Sequence, residues 1–251
     1  MVYFTQSSER GLTRLISKDK IKLNKKVIGI LGGMGPEATA DLYMKIVKIF
    51  QNEYGAQFDS DYPQIIINSI PLPDVVNVEE TNEIYPYLEN GVKTLENAGV
   101  DFIVIPCNTV QFLLEKLRKV SKVPIIGIPE EMVKVTKSFG LKRVGLLSTR
   151  NTIKLGVFDA IEKTGTVVIK PDIDQQNQIT NIIMEIMKGN KLERGRLVLE
   201  RIISDFVSKG ADGIILGCTE LPLIINNNDK VLLLDTTEIL AQASVRKVFG
   251  E

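Results

Sequence analysis

The feature that most constrains this chain is the apolar run Asp101–Thr109, DFIVIPCNT, because it returns as Asp212–Glu220, DGIILGCTE. Each copy follows a glycine turn, Ala98-Gly99-Val100 in one and Lys209-Gly210-Ala211 in the other. Each also places a cysteine, Cys107 or Cys218, at the same distance from its leading aspartate. Short aliphatic and β-branched runs bounded by Gly and Pro read as strands covered on both faces, as in a parallel sheet. After the first copy, Val110, Leu113, Leu114 and Leu117 recur at i, i+3, i+4 and i+7, so a helix is predicted from Thr109 onward. Each cysteine then lies where a strand ends and a helix begins, the place where open α/β sheets bind ligands.

The duplication extends outward. Ile28-Gly29-Ile30-Leu31 and Val144-Gly145-Leu146-Leu147 occupy matching places ahead of the two cysteine strands. Further strands are predicted at Gln64–Asn68, Val123–Pro129, Thr166–Lys170 and Val231–Asp235. Helices are predicted from about Glu83, Gln176 (to Lys188) and Glu193 (to Lys209). Asp235, with Glu238 three residues on, marks a last helix start. The alternation implies an α/β fold of two pseudo-symmetric αβ lobes, each with a parallel, doubly wound sheet and the active site between them. Residues 1–26 form a polar, Lys-rich extension read as a surface segment. Residues 27–125 make the first lobe and 126–235 the second, with the helix 236–250 packing back on the first. Two facing lobes put both cysteines in one cleft.

Composition narrows the chemistry. A 251-residue chain that is 44% hydrophobic can build sizeable cores. A net charge of zero gives nucleic-acid binding no electrostatic support. No run approaches the length of a membrane span and the N-terminus lacks a signal-peptide core, so a cytoplasmic protein without a membrane partner is expected. The chain has two cysteines and no histidine. That argues against a disulfide framework, against serine–histidine and cysteine–histidine nucleophiles, and against most zinc sites.

Between the first strand and first helix runs Gly32-Gly33-Met34-Gly35-Pro36-Glu37. Gly33, Gly35 and Ala38 formally fit the dinucleotide pattern, but the acidic residue at the right distance, Glu53, precedes the next strand, where a ribose-binding carboxylate is not expected. The same turn offers N–H groups to a small carboxylate at a helix N-terminus. Ser69-Ile70-Pro71-Leu72-Pro73-Asp74 is a proline-punctuated loop at a strand's carboxyl end, where substrate contacts and plain connectors are both common.

A cysteine at a helix N-terminus is expected to have a lowered pKa. Such a sulfur can serve as nucleophile, metal ligand, redox group or base, and a buried cysteine can also be inert. A metal pair lacks further ligands, and a redox dithiol would be closer in sequence. The polar Asn108-Thr109 and Thr219-Glu220 behind the two sulfurs speak for a site. What remains is acid–base chemistry: two bases on opposite faces of a carbon can remove a proton from one side and return one on the other, inverting a stereocentre.

In this order and spacing, GILGGMGPEAT, PCNT and GCTE resemble the aspartate/glutamate racemase family, in particular its aspartate racemase branch. The resemblance runs from about Val27 to the last helix. It implies a cofactor-independent, usually homodimeric racemase that interconverts L- and D-aspartate, with Cys107 and Cys218 as the catalytic pair. Met34, Asn108, Thr109, Thr219 and Glu220 become substrate contacts, joined by Thr149 and by Gln176. Asn108, Thr109 and nearby N–H groups would hold the α-carboxylate, and Glu220 would receive the ammonium. Two positions depart from the archaeal-type pattern: a basic residue after the Pro-Asp loop is here Val75, and one just before the second-lobe helix is here Gln176. Either another cation, such as Arg150 or a lysine, grips the side-chain carboxylate, or the substrate has a different side chain. A dicarboxylate isomerase or decarboxylase of the same fold, and a metabolite-binding module without chemistry, are the rival readings.

Overall fold

The computed structural model describes residues 25–73, 83–190, 193–225, 228 and 230–250. Most of the N-terminal extension (1–24) and Val75 lie outside the described residues. Two parallel four-stranded sheets are formed. The first contains β1 (Ile28–Gly32), β2 (Ile65–Ser69), β3 (Phe102–Val104) and β4 (Ile125–Ile126) in the order β2-β1-β3-β4. The second contains β5 (Arg143–Ser148), β6 (Val167–Ile169), β7 (Gly213–Gly217) and β8 (Leu232–Asp235) in the order β6-β5-β7-β8. The second order repeats the first, as expected for a duplicated unit. The direction of winding reverses between β1 and β3, and again between β5 and β7, so the loops leaving those four strands border the two switch points at which such sheets take ligands.

Around the sheets lie α1 (Pro36–Tyr54), α2 (Tyr85–Asn97), α3 (Leu114–Val120), α4 (Ile128–Ser138), α5 (Arg150–Lys154), α6 (Asp159–Glu162), α7 (Ile173–Met187), α8 (Glu193–Ser208) and α9 (Thr236–Val248). The apolar runs become central strands because both their faces are covered: Ile28, Phe102, Ile103, Ile214 and Ile215 have no exposure. The aspartate that opens each repeat clamps this arrangement. Asp101 accepts the Val27 N–H at 2.6 Å and donates its own N–H to the Val27 carbonyl. Asp212 accepts from Lys142 and Arg143 and donates to the Arg143 carbonyl. The matched glycines one strand away leave room for neighbours: a Cβ at Gly145 would fall 2.3 Å from the Phe206 ring.

One hydrophobic cluster joins the lobes, with Phe50, Phe102, Met132, Val144, Ile215 and Leu240 all in it. α9 leaves the second sheet at β8 and lies on α1 of the first, with Phe249 just beyond its end stacked on Tyr54 at 4.7 Å and Gln242 donating to Glu53. Asp235 caps α9 by accepting from the N–H groups of Thr237 and Glu238.

Two local expectations are corrected. The segment after Cys107 is a 3-10 turn, Thr109–Leu113, before α3 begins, and the helical segment after Cys218 is a short 3-10 turn, Leu221–Leu223. α7 starts at Ile173 instead of near Gln176, because Asp172 and Gln175 form a reciprocal capping box. Gln176 therefore sits inside the first turn of the helix.

Candidate active site

Both cysteines stand just beyond the carboxyl ends of the third strand of their sheets, and both are buried, Cys107 at 7% and Cys218 at 8% exposure. The residues behind them are buried as well: Asn108, Thr109, Thr219 and Glu220. Met34, Thr149 and Gln176 are equally enclosed. The sequence-derived set thus lies in the interior, and a web of contacts across the lobes connects most of it.

Glu220 is the electrostatic centre. Its Oε2 accepts from Cys218 Sγ at 2.9 Å and from the Thr219 hydroxyl at 3.2 Å. On its other side, a Cβ at Gly35 would lie 3.3 Å from Glu220 Oε1, so the first-lobe glycine turn abuts this second-lobe carboxylate. Met34, in the same turn, shares the first-lobe apolar cluster with Cys107. The expectation of lowered thiol pKa values is overturned. Burial pushes Cys107 up to about 12; the Glu220 charge adds to this, while the Val110 and Thr109 N–H groups of the 3-10 turn pull the other way. Burial likewise lifts Cys218 well above its ordinary value, and the charge and hydrogen bond of Glu220 reinforce the effect. Each sulfur sits among apolar strand ends, and a few turn N–H groups do not offset that desolvation. A negative charge on Cys107, once formed, would raise Cys218 further, a smaller effect than burial and Glu220.

The lobes are joined at the site by hydroxyls. Thr109 of the first lobe lies 3.3 Å from Thr149 and 3.0 Å from Thr152 of the second, and Thr149 also caps α5. Asn108 Nδ2 donates to Thr236 Oγ1 at 2.9 Å, and Thr236 in turn donates to the Leu216 carbonyl on β7. The start of α9 is thereby tied to the residue after Cys107 and to the strand that carries Cys218. Asn108 Oδ1 has no partner. The Asn108 side chain therefore has an unpartnered acceptor, and Nδ2 carries a second N–H beyond the one given to Thr236, so the amide suits an ammonium group at Oδ1 and the expected α-carboxylate at Nδ2.

Sequence reasoning did not find Thr152, Thr236 or Gln111. Gln111 donates to the carbonyls of Ile105 and Cys107 and accepts from the Ile128 N–H, so it holds the Cys107 strand end against the start of α4. A polar residue in an otherwise apolar helical stripe was its one available signal. In the glycine turn, Gly33 has φ +96 and a Cβ there would collide with the Ile70 backbone, while its N–H is held by Thr39 Oγ1. That glycine serves close packing on the loop after β2, and its N–H is not available to a ligand. Arg150, considered as a substitute cation, is exposed and donates to Asn177. Among the described residues, no grouping of His, Cys, Asp and Glu has the arrangement of a metal site.

A family model described as Asp/Glu/Hydantoin racemase matches residues 31–244, most of the chain and every element that bears on the site. The chain belongs to this racemase family. Among individual members, it is 32% identical over 222 residues to the broad specificity amino-acid racemase RacX of Bacillus subtilis, covering 87% of this chain and 96% of that one. The fold matches an aspartate racemase homologue from Pyrococcus horikoshii with a TM-score of 0.76 and 30% identity, over 89% of this chain and 99% of that one. It also matches the Picrophilus torridus aspartate racemase with a TM-score of 0.77 and 28% identity, over 89% and 94% of the two chains. The racemase family accounts for the paired sheets and their shared strand order.

Proposed function

We propose that this chain is an amino-acid racemase working without pyridoxal phosphate, in which Cys107 and Cys218 exchange the α-proton from opposite faces of the substrate. The observation that carries the reading is that two buried strand-end thiols, one from each lobe, share the buried carboxylate of Glu220: Cys218 donates to it, and its charge raises Cys107. Membership of the racemase family supports it.

The thiols of the resting protein are protonated, so a thiolate has to be generated on demand. The Cys218 proton already points at Glu220 Oε2, and transfer along that bond leaves a Cys218 thiolate and a neutral carboxylic acid. An α-ammonium group beside Glu220 or Asn108 Oδ1 would offset the negative charge that holds both sulfurs up. The thiolate then takes the α-proton, and the Cys107 thiol delivers its own to the opposite face of the planar carbanion. Cys107 is left as thiolate, ready for the reverse direction. Under the same reading the protein works as a homodimer in the cytoplasm.

Two side-chain readings follow. Aspartate has the support of the resemblance to the aspartate racemases; a wider range has the support of RacX and of Gln176 standing where the resemblance leads one to expect a basic residue. Proton NMR in D₂O with a panel of L-amino acids and dicarboxylates tests the reaction itself. Loss of an α-proton signal with appearance of the D-enantiomer is expected for at least one amino acid. Tight binding without exchange would favour the binding module, and a covalent substrate adduct by mass spectrometry would favour the isomerase or decarboxylase.

A further inference from the structure

Gln176 lies over the carboxyl end of β5, at the second-lobe switch point. Its Nε2 donates to the Ser148 carbonyl at 3.0 Å and to Thr180 Oγ1 at 3.2 Å. Ser148 is paired in register with Gly217, the residue before Cys218, and is followed by Thr149, which touches Thr109. The side chain therefore stands one strand from Cys218 and one residue from the threonines that join the lobes. A backbone carbonyl can only accept, so the amide cannot be turned around: its nitrogen must face Ser148. Both N–H hydrogens are committed, and the atom left over is Oε1, buried and without a partner.

An orphaned acceptor in the interior is costly unless something donates to it. The buried charges sharpen the requirement. Among the described residues, the buried charged side chains are Glu220 and, on α4 and paired with Lys134 and Arg246, Glu131; the buried set contains no lysine or arginine, and Arg150, beside Asn177, is exposed. A substrate carboxylate at this end of the site would meet an acceptor oxygen and find no buried cation.

We infer that Gln176 selects substrates whose side chains donate a hydrogen bond, such as a hydroxyl, amide, ammonium or guanidinium, over those ending in a carboxylate. This rests on the racemase reading and deepens it by naming the substrate class. Gln176 acts as a specificity-determining residue, through Oε1, while its amide nitrogen fixes the end of β5.

The test is kcat/KM for racemisation of aspartate, glutamate, alanine, homoserine, asparagine, glutamine, lysine and arginine by the wild-type protein. A donor side chain is expected to exceed both aspartate and glutamate by on the order of tenfold or more. Gln176→Met, which keeps the volume but loses the acceptor, should lower the ratio of the best donor substrate to alanine by roughly tenfold. A purely structural role would lower both rates together and leave the ratio unchanged. Aspartate or glutamate as the best substrate, or an unchanged ratio in Gln176→Met, overturns this inference and leaves the racemase reading standing. If no amino acid is racemised, both fall. Should Gln176→Met fail to fold, the wild-type panel still decides.

Discussion

At the scale of single residues, Glu220 acts on both sulfurs, and in the proposed mechanism it pulls thiol reactivity and catalysis in opposite directions. Its charge raises both thiols, and its Oε2 is placed to take the Cys218 proton. Glu220→Gln removes the charge and keeps the shape, so alkylation of the cysteines by iodoacetamide at pH 8 should speed up while racemisation falls by about a hundredfold or more. Faster racemisation in that variant would remove Glu220 from the mechanism. In the wild-type protein labelling should be slow: with Cys107 at about 12 against an ordinary 9.0, its thiolate fraction is about a thousandfold lower than that of a free thiol. Cys107→Ser and Cys218→Ser should each lower racemisation by on the order of a thousandfold or more, measured by chiral chromatography, because each removes one face of the proton exchange. Full activity in either variant would contradict the two-thiol mechanism.

At the scale of elements, the repeated strands are held by the same device twice. If Asp101 and Asp212 are equivalent clamps, Asp101→Asn and Asp212→Asn should cost similar amounts, about 1 kcal/mol each by urea unfolding. A cost confined to one of them would show that the clamps are not equivalent. Thr236 is the corresponding pin between lobes. Thr236→Val should destabilise the fold by about 1–3 kcal/mol, because it takes the acceptor from buried Asn108 Nδ2 and one donor from the Leu216 carbonyl. The strands, their repeat and the capping aspartate of α9 were legible because each is a local pattern. Thr236 was not, since its partner Asn108 is 128 residues away and nothing near either residue announces the other. The misplaced start of α7 has a local cause: the Asp172–Gln175 capping box outweighed apolar periodicity, and this moved Gln176 into a helical turn. The 3-10 winding after Cys107 was hidden because Val110, Leu113 and Leu114 satisfy a helical stripe regardless of how the first turn is wound.

At the scale of the molecule, the packing of each lobe around its own sulfur explains why the thiols differ from the expectation for strand-end cysteines. The sequence places each sulfur near turn N–H groups, but Cys107 packs in the apolar cluster of Leu31, Val110 and Leu113, and Cys218 in that of Leu147, Leu216 and Leu221. Those partners are scattered along the chain, so no local pattern reveals the desolvation. The same burial links the site to stability. The folded state keeps the Cys107 proton up to about 12, whereas the unfolded chain releases it near 9.0. The contribution of this thiol is therefore complete below about pH 9 and is lost as pH rises toward 12. Unfolding measured from pH 8 to 11 should show stability declining, with a shallower decline in Cys107→Ser. An equal slope in the variant would mean the thiol is less buried in solution.

The central claim, that two opposed thiols exchange the proton, is tested most directly by the isotope pattern of the first turnovers in D₂O. Starting from the fully protiated L-enantiomer of a turned-over amino acid, the D-product and the recovered L-substrate are separated and each is analysed for deuterium at Cα. Two opposed thiols predict a D-product that carries solvent deuterium from the outset while the remaining L-pool stays protiated, because the group that takes the proton is not the one that gives it back. Deuterium entering the L-pool as fast as the product, or a D-product that retains the original protium, would contradict the account.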